Sequence, residues 1–566
     1  MNGDTYDVVV VGSGAGGLTA ALTAASEGLS VVVVEKAAHY GGSTARSGGA
    51  VWVPGNSALE AAGQKDAPGE ARTYVRSIVD DGVSDDRIDA FLDNGPAMID
   101  LVLKNTKLKL KWIKGYSDYY PEAPGGRAEG RSLEAAPFDA SRKGVDRATL
   151  EPDYSDAPLG VVVTSADYKW LNLMRVNPKG PLRIMRIGGR WIVGKALRRE
   201  LVGRGQALVA GLREGLDDAG VPLLLETPMT DLVVEQGTVV GVEVEIDGQP
   251  RTLHARHGVI ITSGGFEHNE PMRTKYQRQP IGTEWTVGAK GNTGDGIRIG
   301  EKVGAALEYM DDAWWGPSIP LPRGPWFALA ERSLPGSLMI NNRAQRFFNE
   351  SAPYVDAVHS MYGGPRGRGE GPGENVPCWL VFDQRYRDRY MFAAVYPGAK
   401  LPRRWIESGT ISIAPTLGEL AEKIGVDAAA LGATVDKFNA FADKGNDEEF
   451  HRGDSAYDHY YGDPRNKPNP SLAPLSKGPF YAAKMVPGDL GTKGGVRADS
   501  KGRALRDDYS PIDGLYVAGN ASSPVMGHTY AGPGATIGPA MTYGYIAARE
   551  IAARKASKSR AGVSSE

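Results

Sequence analysis

The chain has 566 residues, 41% hydrophobic and 23% charged, enough for a large core and two or more domains. A net charge of -3 gives no general attraction to nucleic acid, so no nucleic-acid partner is expected. The single cysteine, Cys378, excludes an internal disulfide and a thiolate metal cluster. No metal site is expected, and no apolar run is long enough to span a membrane. The opening Met1-Asn2-Gly3-Asp4 has no basic-then-apolar signal pattern, so a cytoplasmic location is expected.

The first predicted element is a buried parallel strand, Tyr6 to Val11, a short continuous apolar run. Gly12, Ser13, Gly14, Ala15, Gly16 and Gly17 follow, then an Ala/Leu-rich helix to about Glu27 and a second strand, Val31 to Val34, ending in Glu35. Strand, glycine turn, helix, strand and acid at these spacings form a complete βαβ dinucleotide site. Its glycines permit the tight turn, the approach of a pyrophosphate and close helix packing. The helix N-terminus faces the phosphates. Glu35 is placed to accept hydrogen bonds from a ribose and would repel a 2′-phosphate.

FAD and NAD share this pattern. Beyond Lys36 lies a second loop rich in glycine and hydroxyls, with Gly42, Ser43, Thr44, Ser47, Gly48 and Gly49 able to line the rest of a pyrophosphate and a flavin. It resembles the corresponding loop of the fumarate reductase/succinate dehydrogenase flavoprotein superfamily. The resemblance implies FAD. Covalent flavin attachment in that superfamily uses a histidine; this loop has none, although His39 lies just before it, so the FAD is expected to be non-covalent.

Farther on, a basic aromatic insertion spans about 165–200. Between Lys169 and Arg199 it carries nine basic residues and no acid, interleaved with Trp170, Met174, Ile184, Met185, Trp191 and Ile192. Two readings stand: a solvated basic face over a helical pair, or reversible docking on an anionic inner membrane. Strands are predicted around residues 223–225 and 239–242 and at 258–263, the last ending in Gly264 at a cofactor edge. Thr293-Gly294-Asp295-Gly296 either holds the flavin edge or caps a helix.

Residues 312–490 are rich in Trp, Tyr, Phe and Pro. They are expected to form an inserted α+β substrate-binding, catalytic domain that caps the flavin, with the Trp314-Trp315 pair as a wall for a flat apolar ligand. Residues 1–311 and 491–566 would be the two parts of a Rossmann-like, α/β FAD-binding domain. A late strand ending at Gly519 and Asn520 returns the chain to the flavin. A last helix is expected from Ala540 through Ala552, and a frayed polar tail from about 555.

Just before that helix, residues 527–538 read Gly-His-Thr-Tyr-Ala-Gly-Pro-Gly-Ala-Thr-Ile-Gly. Glycines expose backbone N–H groups, and a helix start adds more. Tyr530 beside such a donor could polarise a carbonyl, and the turn and helix start, including Ile537, would face the flavin. His528 is read as structural or substrate-lining, with proton donor as the alternative.

With the opening segment, three further segments carry a closer resemblance: residues 116–121 (Tyr-Ser-Asp-Tyr-Tyr-Pro), 349–354 (Asn-Glu-Ser-Ala-Pro-Tyr) and 489–495 (Asp-Leu-Gly-Thr-Lys-Gly-Gly). Together they resemble the 3-ketosteroid Δ1-dehydrogenases over essentially the whole chain. The resemblance implies a 3-ketosteroid substrate oxidised between carbons 1 and 2 of the A ring, in steroid degradation. The Tyr530 hydroxyl and the Gly534 N–H would hold the 3-ketone. Tyr354 would remove a proton from carbon 2, supported by Tyr119, and hydride would pass from carbon 1 to flavin N5. A free phenol titrates at about 10, so a second phenol donating to it has a physical purpose. Tyr120 adjoins Tyr119 and leaves the register open; resemblance favours Tyr119. An external electron acceptor, a quinone or dye-like molecule, would complete the cycle. A Δ4-(5α) ketosteroid dehydrogenase, a fumarate-reductase-like enzyme and a non-catalytic steroid- or flavin-binding protein remain as alternatives. The absence of arginine near Tyr530 argues against a diacid substrate.

Overall fold

The computed structural model describes residues 4–142, 144–155 and 160–563, with side chains through 557. Met1, Asn2, Gly3 and the last three residues of the polar tail, which entered the sequence reading, lie outside the described residues.

In chain order the elements that position the site begin with β1 (Thr5–Val11), α1 (Ala15–Ser26) and β2 (Val31–Val34). The helix pair α2 (Ser165–Asn172) and α3 (Lys179–Ala196) occupies the basic insertion. Strands β3 (Leu223–Leu224), β4 (Met229–Glu235), β5 (Thr238–Ile246) and β6 (Gln249–Ile261) follow, then α4 (Asp295–Lys302). A second group comprises β7 (Ala313–Leu321), β8 (Gly324–Phe327), β9 (Ser337–Asn341), α5 (Tyr354–Tyr362), β10 (Cys378–Asp383), β11 (Ile411–Ala414) and β12 (Phe480–Thr492). The chain closes with β13 (Arg503–Leu505), β14 (Pro511–Val517) and α6 (Ile537–Val563).

The first sheet has eight strands, with the central order β13-β14-β6-β1-β2-β3 and β5 bridging β6 to β4. Its core pairings β14/β6, β6/β1, β1/β2 and β2/β3 are parallel. Val8, Val9 and Val10 and the facing Val32 and Val33 are fully buried on both faces, as a parallel sheet covered by helices requires. Each such valine contributes about 1.5–3 kcal/mol by leaving water. The C-terminal ends of β1, β2, β6 and β14 therefore converge on one edge, where a dinucleotide binds in such sheets.

The second sheet is antiparallel, ordered β8-β7-β12-β10-β9 with β11 also on β12. β12 is its spine and ends at Thr492, carrying the chain back to the edge of the first sheet. Cys378 opens β10 and is fully buried. A small sheet of strands Ala50–Trp52, Leu110–Trp112 and Ser132–Ala135 presents the loop that holds Tyr116 to Tyr120.

Two boundaries differ from expectation. α6 begins at Ile537 rather than Ala540, because Pro539 stands in the first helical turn, where a missing N–H removes no intrahelical bond. It also continues to Val563, so the tail from 555 is helical and not frayed as far as that residue; its alanines, lysines and arginines are good helix formers.

Candidate active site

One cavity runs along the sheet edge and into the space under the second sheet. It is lined by Gly12, Ser13, Gly14, Ala15, Gly16, Glu35, Lys36, Gly42, Ser43, Thr44, Ser47, Gly48, Gly49, Gly264, Gly519, Asn520 and Ile537. The same cavity is lined by Tyr119, Tyr354, Tyr530 and Gly534. Gly17, also singled out from sequence, stands behind it. A Cβ on Gly17 would lie 2.0 Å from the Gly12 carbonyl oxygen, so this glycine lets α1 press on the turn. Gly12 itself adopts φ +103, a left-handed conformation that favours glycine.

The glycine-rich half suits a dinucleotide. A Cβ on Gly42 would meet nothing within 4 Å, and one on Gly14 only Thr44 Oγ1 at 3.6 Å, so both offer bare backbone to the cavity. The Ser263 hydroxyl lines the cavity, buried and without a protein partner. Glu35 Oε2 accepts from the Ser13 N–H at 3.0 Å and hydroxyl at 2.7 Å, which fixes the acid at the end of β2. Lys36 Nζ pairs with Asp295 at 2.5 Å and donates to Thr293 at 2.6 Å. Gly294 caps α4, Asp295 opens it, and Asp295 and Gly296 line the cavity. Asn292, which sequence reading passed over, donates to Ser43 at 2.9 Å and to buried Glu267 at 2.6 Å. Burial, with Asp489 nearby, raises the Glu267 carboxyl to about 7.

The other half is aromatic. The rings of Tyr119 and Tyr354 meet edge to face at 5.4 Å, Tyr119 and Tyr530 lie at 5.1 Å, and Tyr354 and Tyr530 at 5.5 Å. Three distant segments bring them together. The Tyr119 N–H donates to the Ala531 carbonyl at 3.0 Å, and the Tyr74 hydroxyl donates to the same oxygen at 2.6 Å, locking the 116–120 loop onto the Tyr530 loop. Tyr354 begins α5, and the Tyr120 hydroxyl donates to Asp356, two residues along, at 3.1 Å. Tyr119 lines the cavity, while Tyr120 braces α5.

Burial pushes all three phenols up. For Tyr354 the neighbouring Tyr530 and Tyr116 add to the rise, and a hydrogen bond from Tyr119 opposes it. For Tyr530, hydrogen bonds from Thr536, Tyr354 and the Gly534 N–H all favour negative charge on its oxygen. Tyr530 and Gly534 thus stand side by side in the cavity lining. Thr536, part of the turn expected to face the flavin, donates to Tyr530 at 2.9 Å, a contact the sequence reading did not foresee. Its signal was a hydroxyl in the glycine-rich turn at the helix start.

Two other expectations are corrected or settled by position. Trp314 and Trp315 do not line this cavity; Trp314 packs on Tyr530 at 5.0 Å and bonds Asn520, while Trp315 packs on Tyr362 at 5.5 Å. Neighbours on a strand point to opposite faces, so the pair could not form one wall. Trp326, Phe327 and Leu329 line the cavity instead. His528 is buried with Nδ1 2.8 Å from Asp80, a structural tie.

A doubly anchored dinucleotide cradle opening onto buried phenols defines a flavoprotein oxidoreductase, and residues 7–537 match the FAD binding domain family. The 3-oxosteroid 1-dehydrogenases of Mycolicibacterium smegmatis and Mycobacterium tuberculosis are each 61% identical to it over 98% of this chain and 99% of theirs. A solved 3-ketosteroid Δ1-dehydrogenase from Sterolibacterium denitrificans, in complex with 1,4-androstadiene-3,17-dione, matches with a TM-score of 0.92 at 40% identity. It covers 97% of this chain and 100% of that one. The chain belongs to the 3-oxosteroid 1-dehydrogenase family, FAD-dependent oxidoreductases.

Proposed function

We propose that this chain introduces a double bond between carbons 1 and 2 of 3-ketosteroids, with its work divided among the residues already placed. The observation that carries the reading is the convergence of three buried tyrosines and the Gly534 N–H on the cavity that holds the dinucleotide cradle. The Tyr530 hydroxyl and Gly534 N–H hold the 3-ketone oxygen and make the proton on carbon 2 acidic. Tyr354, stabilised by donation from Tyr119, takes that proton. Bound, non-covalent FAD supplies the acceptor for the hydride leaving carbon 1. Residues 312–490 act as the substrate-binding unit, and an external quinone-type acceptor completes turnover, since the sequence carries a single dinucleotide fingerprint. Anaerobic addition of androst-4-ene-3,17-dione to the yellow protein is expected to bleach the oxidised flavin band and yield the 1,4-diene. Absence of bleaching with any 3-ketosteroid would overturn the reading.

We further propose that α3 docks reversibly on an anionic lipid surface. Leu182 is 63% exposed, Met185 72% and Ile192 61%, an unusual apolar display on one helix. Of the nine basic residues, Arg183 and Arg190 are held by buried Asp167, and Lys169 sits over the Tyr460 ring at 4.2 Å. Arg175, Lys179, Arg186, Lys195, Arg198 and Arg199 remain exposed. Each basic residue at such a surface contributes about 1 kcal/mol. No helix among the described residues is long and apolar enough to cross a membrane. The protein is expected to pellet with anionic liposomes at low salt and to be released at high salt, and Leu182→Asp with Met185→Asp to abolish pelleting. Failure to pellet at low salt counts against docking.

A further inference from the structure

Arg332 follows β8 and is fully buried. One of its Nη groups donates to the carbonyls of Glu350 and, at 2.7 Å, Ala352. Those carbonyls lie just before Pro353 and Tyr354, so Arg332 holds the backbone that delivers Tyr354 to the cavity. Its Nε and other Nη find no acceptor in the protein. Two neighbouring buried arginines are treated differently: Arg346 pairs with Glu350 and Asp447, and Arg452 with Glu350. Arg332 joins none of the ion pairs formed among the described residues. A buried cation held by neutral carbonyls, with no ion pair in contact, is costly, and its charge is left to act on the groups around it.

What faces that charge is a phenol. The Tyr457 hydroxyl is buried; burial pushes it up, and Arg332 draws it back most. The Tyr457 ring meets Tyr119 edge to face at 4.9 Å, and Tyr119 meets Tyr354 at 5.4 Å. Apart from Tyr119, which donates to Tyr354, the remaining groups around it oppose a negative charge there or are spoken for. Tyr116 and Tyr530 are phenols; Asp458 adjoins Tyr457, and Asp356 stands two residues along α5. Lys493 and His359 are both bonded to Asp312. The Glu331 carboxylate feels Arg332 through space, but one of its oxygens is taken by Trp326 and the Ala393 N–H.

We propose that Arg332 is the positioning residue that makes Tyr354 serviceable as a base: it fixes the carbonyls leading into α5, and its unpaired charge, acting through Tyr457 and Tyr119, stabilises the tyrosinate that takes the steroid proton. The proposal rests on the reading of Tyr354 as the base.

The test is the rate of anaerobic flavin reduction by a 3-ketosteroid as a function of pH, in the holoenzyme of the wild type, Arg332→Met, Arg332→Lys and Tyr457→Phe. FAD content and steroid affinity are measured alongside. In the wild type the rate rises with pH as the base loses its proton. Without the cation the phenolate is harder to form, so in Arg332→Met that limb moves up by about one pH unit. The rate then falls about tenfold on the acid side and recovers on the alkaline side. Arg332→Lys restores most of the position, and Tyr457→Phe shifts the limb in the same direction by less. A limb that stays in place while the rate falls equally at every pH makes Arg332 merely structural and overturns the proposal. Should Arg332→Met fail to hold FAD, Tyr457→Phe decides, and an unshifted limb there overturns it as well. Failure of the underlying reading looks different: Tyr354→Phe would keep its turnover.

Discussion

Tyr354→Phe is expected to reduce turnover by about 10²–10⁴, the range for removing a general base. Tyr530→Phe is expected to cost about 10²–10³, the range for one oxyanion donor. Both variants should keep their yellow colour and their melting temperature, because each phenol hydroxyl points to its partners in the cavity and not into the core packing. The two losses arise differently. On the proposed reading, Tyr530→Phe removes one of two donors to the ketone and leaves the Gly534 N–H in place. Tyr354→Phe removes the proton acceptor, and Tyr119, which donates toward Tyr354, is held on another loop by its N–H bond to Ala531. Single-turnover flavin reduction, with flavin content from the absorbance ratio, separates chemistry from binding. A variant that loses flavin or unfolds would make the residue structural.

Gly17→Ala is expected to yield protein that does not retain FAD. The new methyl carbon would sit 2.0 Å from the Gly12 carbonyl oxygen and 2.5 Å from Thr262 Oγ1. Neither can retreat: Gly12 forms the turn at φ +103, and Thr262 Oγ1 is bonded to the Val11 carbonyl at 2.9 Å. The turn must open, and with it the surface on which a pyrophosphate rests. Gly432→Ala is the control. A Cβ there meets nothing within 4 Å, in the interior of a helix, so flavin content should be unchanged. Stability should rise by up to about 1 kcal/mol. Equal flavin occupancy in Gly17→Ala and the wild type would show that the turn has slack the packing does not suggest.

The βαβ opening was legible because its signals are local: an apolar run, glycines at fixed offsets and an acid at the end of the next strand. So was the return of the chain at Gly519. Segments whose partners are remote were less so. Asn292 lines the cavity because it is held there by Ser43 and Glu267, residues remote from it in sequence. Trp326 and Phe327 line the cavity because β8 pairs with β7, and nothing in their own sequence separates them from Trp314 and Trp315. The helix start at Ile537 was misplaced for a different reason. Pro539 stands in its first turn, where a proline costs no intrahelical bond, so the helix can begin ahead of it. Tyrosines show this divide most clearly. The chain has 24, and composition gives no reason to prefer three of them. Family resemblance supplied the choice, and the buried contacts supply the physics.

The first and last helices of the chain pack directly on one another. A Cβ on Gly16 would lie 3.0 Å from the Ala540 carbonyl, and one on Gly544 would lie 2.4 Å from the Gly16 carbonyl. Biosynthesis therefore makes the opening wall of the cofactor cradle first and its closing wall last. At about 5–20 residues per second, roughly half a minute to two minutes separate the emergence of α1 from that of α6. During that interval the apolar face of α1 has no α6 to cover it. Nascent chains truncated before α6 should hold FAD poorly.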